Sequence, residues 1–178
     1  NKGAASDTGS VLFQTGYSGR AEFGLAGDDD FHVKVSPDGS AWHEAIVVSR
    51  ASGAVRAKAG QVNVASAGTC DIGAAAAHRV QITGTTTITS FGTVANELRF
   101  VTFAGALTLT HNATSLILPG GANITTAAGD SGIFASDASG NWRCLAYQRA
   151  SGQALAGGGG GGSPASAGTV VAMALVFG

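Results

Sequence analysis

Charge is what this sequence has least of: Asp, Glu, Lys and Arg supply 12% of its 178 residues, about half the ~25% of an ordinary soluble domain. The formal net charge is −1 and no stretch clusters Lys or Arg, so the electrostatic footprint of a nucleic-acid binder is missing. Cysteine is almost absent too. Cys70 and Cys144 have no CxxC spacing and no neighbouring His, which excludes a zinc module and a disulfide-scaffolded fold. The sequence admits one bridge between them; the expectation is two buried, unpaired thiols packing as small hydrophobes. Long apolar runs are also lacking. The apolar stretch Thr169 to Phe177 falls far short of the ~20 residues a membrane helix needs, which argues against membrane insertion. No basic and apolar leader opens the chain, which begins Asn1-Lys2-Gly3 and reads as a piece of something longer or as a processed product.

What is present is glycine, 28 residues, within a sequence that is 44% apolar. That much apolar content without charge runs excludes a disordered chain. Small residues with few charges suit strands packed closely together, including strands of neighbouring chains. The length fits two small domains. Two short apolar bursts, separated by Gly16 and Gly19, predict strands bounded by glycine turns. Phe31, Val33 and Val35 then alternate with His32 and Lys34, followed by Ser36-Pro37-Asp38-Gly39-Ser40 and the apolar run from Trp42 to Val48. Pro37 presets a turn and Gly39 can close it in the left-handed region, so a hairpin is expected. A second turn at Ser52-Gly53 leads into Val55-Arg56. Residues 1–56 thus read as an N-terminal β-hairpin module, and the weakly patterned residues 57–68 as a connector.

A C-terminal β domain is expected over residues 69–156. The Ala run at Ala74 to Ala77 is too short for a stable isolated helix. Leu98 to Phe103 is apolar on both parities, which suggests a strand buried on both faces, the second face covered by another chain. From Leu107 to Gly152 short alternating stretches are cut by Pro119-Gly120-Gly121 and Ser139-Gly140-Asn141, the signature of a meander. Residues 157–168 form a glycine-rich loop, and residues 169–178 a terminal apolar strand that must dock elsewhere, on its own chain or a neighbour.

The run LTHNATSLILPGGANITTAAGD, followed by SGNWRCLAYQRASG, resembles the C-terminal part of phage-type tail fibres. Such modules recur in alphaproteobacterial phages, prophages and gene transfer agents. This resemblance covers roughly residues 69 to 152. The stretch YSGRAEFGLAGDDDFHVKVSPDGSAWHEAIVVSRASGAV is similar to a second module of phage-like tail proteins. Together they imply an all-β, intertwined homotrimeric fibre with an N-terminal β module and a C-terminal tip. The N-terminal side would join other tail or fibre proteins, and the tip would meet a bacterial surface polysaccharide or outer-membrane receptor. Assembly in a bacterial cytoplasm would keep both thiols reduced.

Few residues offer chemistry. Asp28-Asp29-Asp30 lacks the alternating ligands and distal Glu of a calcium loop and reads as a surface turn. His32, His43, His78 and His111 show no metal-ligand spacing; His111 reads as a turn or axis residue. Asn112-Ala113-Thr114 and Asn123-Ile124-Thr125 fit a glycosylation pattern that carries no information in a bacterial protein. Nothing singles out the carboxylate pair of a glycosidase, and there is no GxSxG elbow. Neither an enzyme nor a cofactor is therefore expected. As receptor contacts the candidates are Trp142, Arg143 and Tyr147, whose aromatic faces and guanidinium suit sugars. Trp142, Cys144 and Ala146 share one parity, so a core-facing row competes with that reading. Gly157, Gly158, Gly159, Gly160, Gly161 and Gly162 are the second candidate, as a close-approach tip. The expected function is attachment by a distal tail-fibre component of the virion, without chemistry. The rivals are a tailspike that cleaves polysaccharide and an extracellular adhesin or filament subunit.

Overall fold

The computed structural model describes residues 1–155; the glycine run and the terminal apolar strand lie outside the described residues. The chain forms two compact units that divide at Gly60/Gln61. Every regular element among the described residues is a strand, apart from one 3-10 turn at Pro119–Gly121. The all-β expectation holds, and the Ala74 to Ala77 run forms no helix.

The N-terminal unit is a five-stranded antiparallel meander of β1 (Thr8–Thr15), β2 (Ser18–Ala26), β3 (Phe31–Val35), β4 (His43–Val48) and β5 (Val55–Ala57) in sequential order. Its turns follow the sequence chemistry. Gly39 takes φ +86°, and the Asp38 carboxylate accepts the Ala41 and Ser40 amides at 2.8 Å each. Those bonds hold the Asp38 pKa down at about 2. Between β1 and β2, Gly16 and Tyr17 both have positive φ, +58° and +63°, the geometry of a type I′ hairpin turn. Bulges at Phe13/Gln14 and Val33/Lys34 interrupt the ladders.

The second unit is built on a six-stranded mixed sheet: β6 (Gln61–Ala65), β7 (Arg79–Thr83), β8 (Leu98–Phe103), β10 (Leu116–Ile117), β12 (Ser131–Ser136) and β13 (Trp142–Gln148), in the order β10-β13-β12-β8-β7-β6. A two-stranded sheet pairs β9 (Thr108–Leu109) with β11 (Ile124–Thr125). β6 corrects one expected boundary. It lies inside the stretch read as a connector, yet it pairs in parallel with β7 and supplies Val62 and Val64 to the second unit's core. With a single edge pairing and small neighbours, its five residues carry too little pattern to stand out locally.

The parallel part has a regular stride. Gln61 pairs with Arg79, 18 positions on, and Arg79 with Phe100, 21 positions on. Away from the sheet, Thr69 bridges Ser90 and Ile88 bridges Leu109, again 21 positions on. Backbone bonds from Ile88 N to Thr108 O and from Cys70 N to Ser90 O tie these layers together. Residues 61–110 therefore wind as stacked coils, whose far side also packs on β12 and β13 through Phe91. The core lies between the sheet and the far side of the coils. Val80, Ile82, Val101, Phe103, Leu116, Phe134 and Trp142 of the sheet cluster with Ile72, Ile88, Phe91, Leu107 and Leu109.

Candidate functional site

β8 shows how the sequence divides the two faces of this sheet. Arg99, Val101 and Phe103 are buried, whereas Leu98 and Phe100 are 43% and 48% exposed. A strand with apolar residues on both parities is thus covered on one face only among the described residues. The buried charge is fully engaged. Arg99 donates to the carbonyls of Ile72 (2.9 Å) and Gly73 (2.6 Å) and pairs with Glu97. It pins the loop after Cys70 to the sheet, which accounts for an arginine where an apolar residue is the default.

Cross-strand pairing defines the open face. One row runs Gln61, Arg79, Phe100, Ile133 and Ala146 across β6, β7, β8, β12 and β13. The next runs Asn63, Gln81, Thr102, Ser131 and Gln148. Beyond the first row, Leu98, Ala135 and Arg143 form a third. The face is a half-exposed aromatic ring beside the Arg79 guanidinium, bordered by amides and hydroxyls, with Arg143 two strands away in the third row. A shallow depression of about 370 Å³ lies over it, lined by Gln61, Arg79, Phe100, Ser131 and Gln148 among others. No Asp or Glu belongs to these rows.

No protein-family model, curated protein or solved structure matches the chain.

Of the three hairpin residues proposed from sequence, Arg143 lies in the third row of this face and Tyr147 is among the residues that line the depression. Trp142 is fully buried, edge-on to Phe91 at 6.1 Å, so it cannot touch a receptor. Its pairing with the core follows from its place opposite Ser136 and beside Leu116 at the inner end of β13. Tyr147 is half-buried. A bulge at Ile133/Phe134 opposes Ala146 to Ile133 and Cys144 to Phe134, shifting the parity of β13 by one residue, so that Leu145 and Ala146 are exposed and Tyr147 packs on the core. The expected row of Trp142, Cys144 and Ala146 is broken at that bulge. The Tyr147 hydroxyl donates to Asp130 at 2.8 Å, and the same carboxylate accepts the Ala150 and Ala127 amides. Burial opposes ionisation of Asp130, but those donors more than offset it and its pKa is lowered; burial and the adjacent carboxylate push Tyr147 upward.

The remaining candidates resolve into structure. His111 sits in a turn, its Nδ1 accepting the Leu118 amide at 3.1 Å. In the N-terminal unit Asp28, Asp29 and Asp30 bond respectively to His32, Lys2 and the Arg50 amide. Among the described residues no three His, Cys, Asp or Glu side chains converge as a metal site. Cys70 and Cys144 are buried and unpaired, and burial pushes both thiols up to about 11. Among the described residues no helix is long and apolar enough to cross a membrane.

Arg79, Phe100, Gln61 and Gln148 were missed as surface residues because parity alone does not say which side of a two-faced apolar strand meets solvent. Arg99 beside Phe100 invites the opposite assignment. The signal that could have found them is a repeat: Val80-Gln81-Ile82-Thr83-Gly84 and Val101-Thr102-Phe103-Ala104-Gly105 align at the 21-residue stride and place Arg79 beside Phe100.

Proposed function

We propose that this protein is a distal tail-fibre component that attaches a phage or phage-like particle to a bacterial surface by binding a glycan or other receptor without chemistry. In this reading three copies assemble into the fibre, located in the virion tail, with other tail proteins at the N-terminal side. The sequence resemblance supplies the fibre. The observation that carries attachment is the open face of the second unit, where Phe100 stands between Arg79 and Ile133 beside the Asn63 to Gln148 row. An aromatic face covers the apolar side of a sugar ring, while amides and guanidiniums bond its hydroxyl and acidic groups. The rival reading, a tailspike that cleaves polysaccharide, requires two carboxylates about 5 to 10 Å apart, and this face offers none.

The test is adsorption of purified protein to susceptible cells and to their extracted surface polysaccharide. Phe100→Ala with Arg79→Ala is expected to reduce binding at least tenfold with unchanged circular dichroism. Release of oligosaccharides, abolished by changing a single Asp or Glu, would overturn the binding-only reading. Unchanged adsorption by the double variant would remove this face as the receptor surface.

A further inference from the structure

The N-terminal sheet has two unlike faces. Pairing places Val11, Phe13, Ala21, Phe23 and Leu25 on the same side as Phe31, Val33, Val35, Ile46, Val48 and Val55. The opposite side carries Glu22, Lys34, Glu44 and His32. Among the described residues the apolar side is open. Phe13 is 52% exposed, Phe23 39%, Phe31 40% and Val35 46%, and in this unit only Ala26 and Val47 are buried apolar residues. Phe13, Phe23 and Phe31 form a ladder across three strands, with ring centroids 5.8 and 6.2 Å apart. A hollow of about 480 Å³ lies beside it, bordered by Val11, Phe23 and Phe31. A 60-residue unit needs a core, and this one has only half of it: the sheet without the layer that should cover it.

We infer that the apolar face of the N-terminal sheet is the surface on which a second copy of this chain packs. The deciding features are size and charge. Five strands at ~4.8 Å spacing make a face roughly 20 Å wide, and about ten half-exposed apolar side chains hold on the order of 800 Å², the share of one partner in a standard interface. A single added strand such as Thr169 to Phe177 is about 5 Å across and covers a fraction of that width. Among its strand residues the face holds no Lys, Arg, Asp or Glu; His43 lies at its margin, Asn1 borders the hollow, and the Lys2 stem lies against Gly9 with its ammonium paired to Asp29. It offers nothing to steer a charged partner. What fits is a surface equally wide and equally uncharged, and a symmetric self-association supplies that from the same residues. The Phe23 ladder of one copy then fills the hollow of another. This deepens the assembly half of the proposed function and is independent of the attachment half.

The test is solution mass of the full chain, measured by sedimentation across 1 to 100 µM as an order-of-magnitude range. Wild-type protein is expected as an oligomer, and Phe23→Glu with Ile46→Glu as a 17.4 kDa monomer or with self-affinity weakened at least a hundredfold. Leu12→Glu, on the opposite face and equally exposed, keeps the oligomer. Circular dichroism of each variant must retain the β signal; should Phe23→Glu unfold, Phe23→Ser with Val35→Ser is read instead. A wild-type monomer at the highest concentration, or an oligomer indifferent to the face variants, overturns the inference. So does a chain ending at Leu155 that gains a dye-binding apolar surface while wild-type stays monomeric, because the C-terminal segment then covers the face. Protein that assembles through this face but fails to adsorb to cells leaves the inference standing and removes the attachment reading.

Discussion

At the scale of single residues, Trp142 and His32 show how differently this chain uses its few special side chains. Trp142 fills the centre of the second core, with Phe91 edge-on to both it and Phe134. Its indole N–H is buried without a partner among the described residues. Trp142→Ala is expected to cost about 3–5 kcal/mol. Trp142→Phe should cost clearly less, because it leaves a smaller cavity while removing the same isolated donor, whose burial costs roughly 1–3 kcal/mol. Urea midpoints of the two variants check this ordering; a Trp142→Ala protein of unchanged stability but weakened receptor binding would reverse the core assignment.

His32 is buried with a carboxylate on each ring nitrogen, Glu44 at 2.5 Å on Nδ1 and Asp28 at 2.8 Å on Nε2. Burial favours the neutral ring, yet the two carboxylates outweigh it and the pKa rises above 6.5. The stabilisation is complete below the unfolded value near 6.5 and is lost as pH climbs through the raised folded value. The His32 bond lowers Asp28 and Glu44 in turn, so their share is present above ~4 and lost as pH falls through their depressed values. The N-terminal sheet is therefore expected to be most stable between about pH 4.5 and 6.5. Urea midpoints at mildly acid and alkaline pH test this: wild-type falls on the alkaline side, and His32→Gln removes most of that difference.

At the scale of elements, the β1–β2 turn invites a gain. Tyr17 holds a positive φ and is 98% exposed, so Tyr17→Gly releases strain without losing a contact and should stabilise by about 0.5–1 kcal/mol. A thermal melt that drops instead would mean that the ring is held by something outside the chain. Turn chemistry is also where the sequence was most legible. Pro37 to Gly39 announces the β3–β4 hairpin, and Asp137 to Gly140 the β12–β13 hairpin, because the cues sit within a few residues of one another. Strands whose partners lie 18 or 21 positions away left no such local cue. β6 passed for a connector, and β8 hid which of its faces is wet. The bulge at Ile133/Phe134 turned the parity of β13, moving Tyr147 inward and Ala146 outward, and no residue type in that stretch signals a bulge.

At the scale of the whole chain, the two units present opposite problems. The second buries an apolar core within itself and leaves open a face that mixes Phe100 and Leu98 with polar side chains; the first pairs its strands and, among the described residues, leaves its apolar face bare. The stride of the second unit has a further consequence. A coil whose strand pairs only with the strands on either side is a unit of length that can be counted in or out. Duplicating Val80 to Phe100 in tandem adds one rung between β7 and β8 while every existing pairing keeps its register. Such a chain is expected to fold with a sharp melt and added strand signal. One residue inserted in β7 turns the following side chains to the wrong face and should unfold the unit. A tandem chain that melts no better than the single-residue insertion would show that the coils are not interchangeable. Where the first holds and the second fails, this part of the protein can grow only in whole rungs, and its reach is quantised.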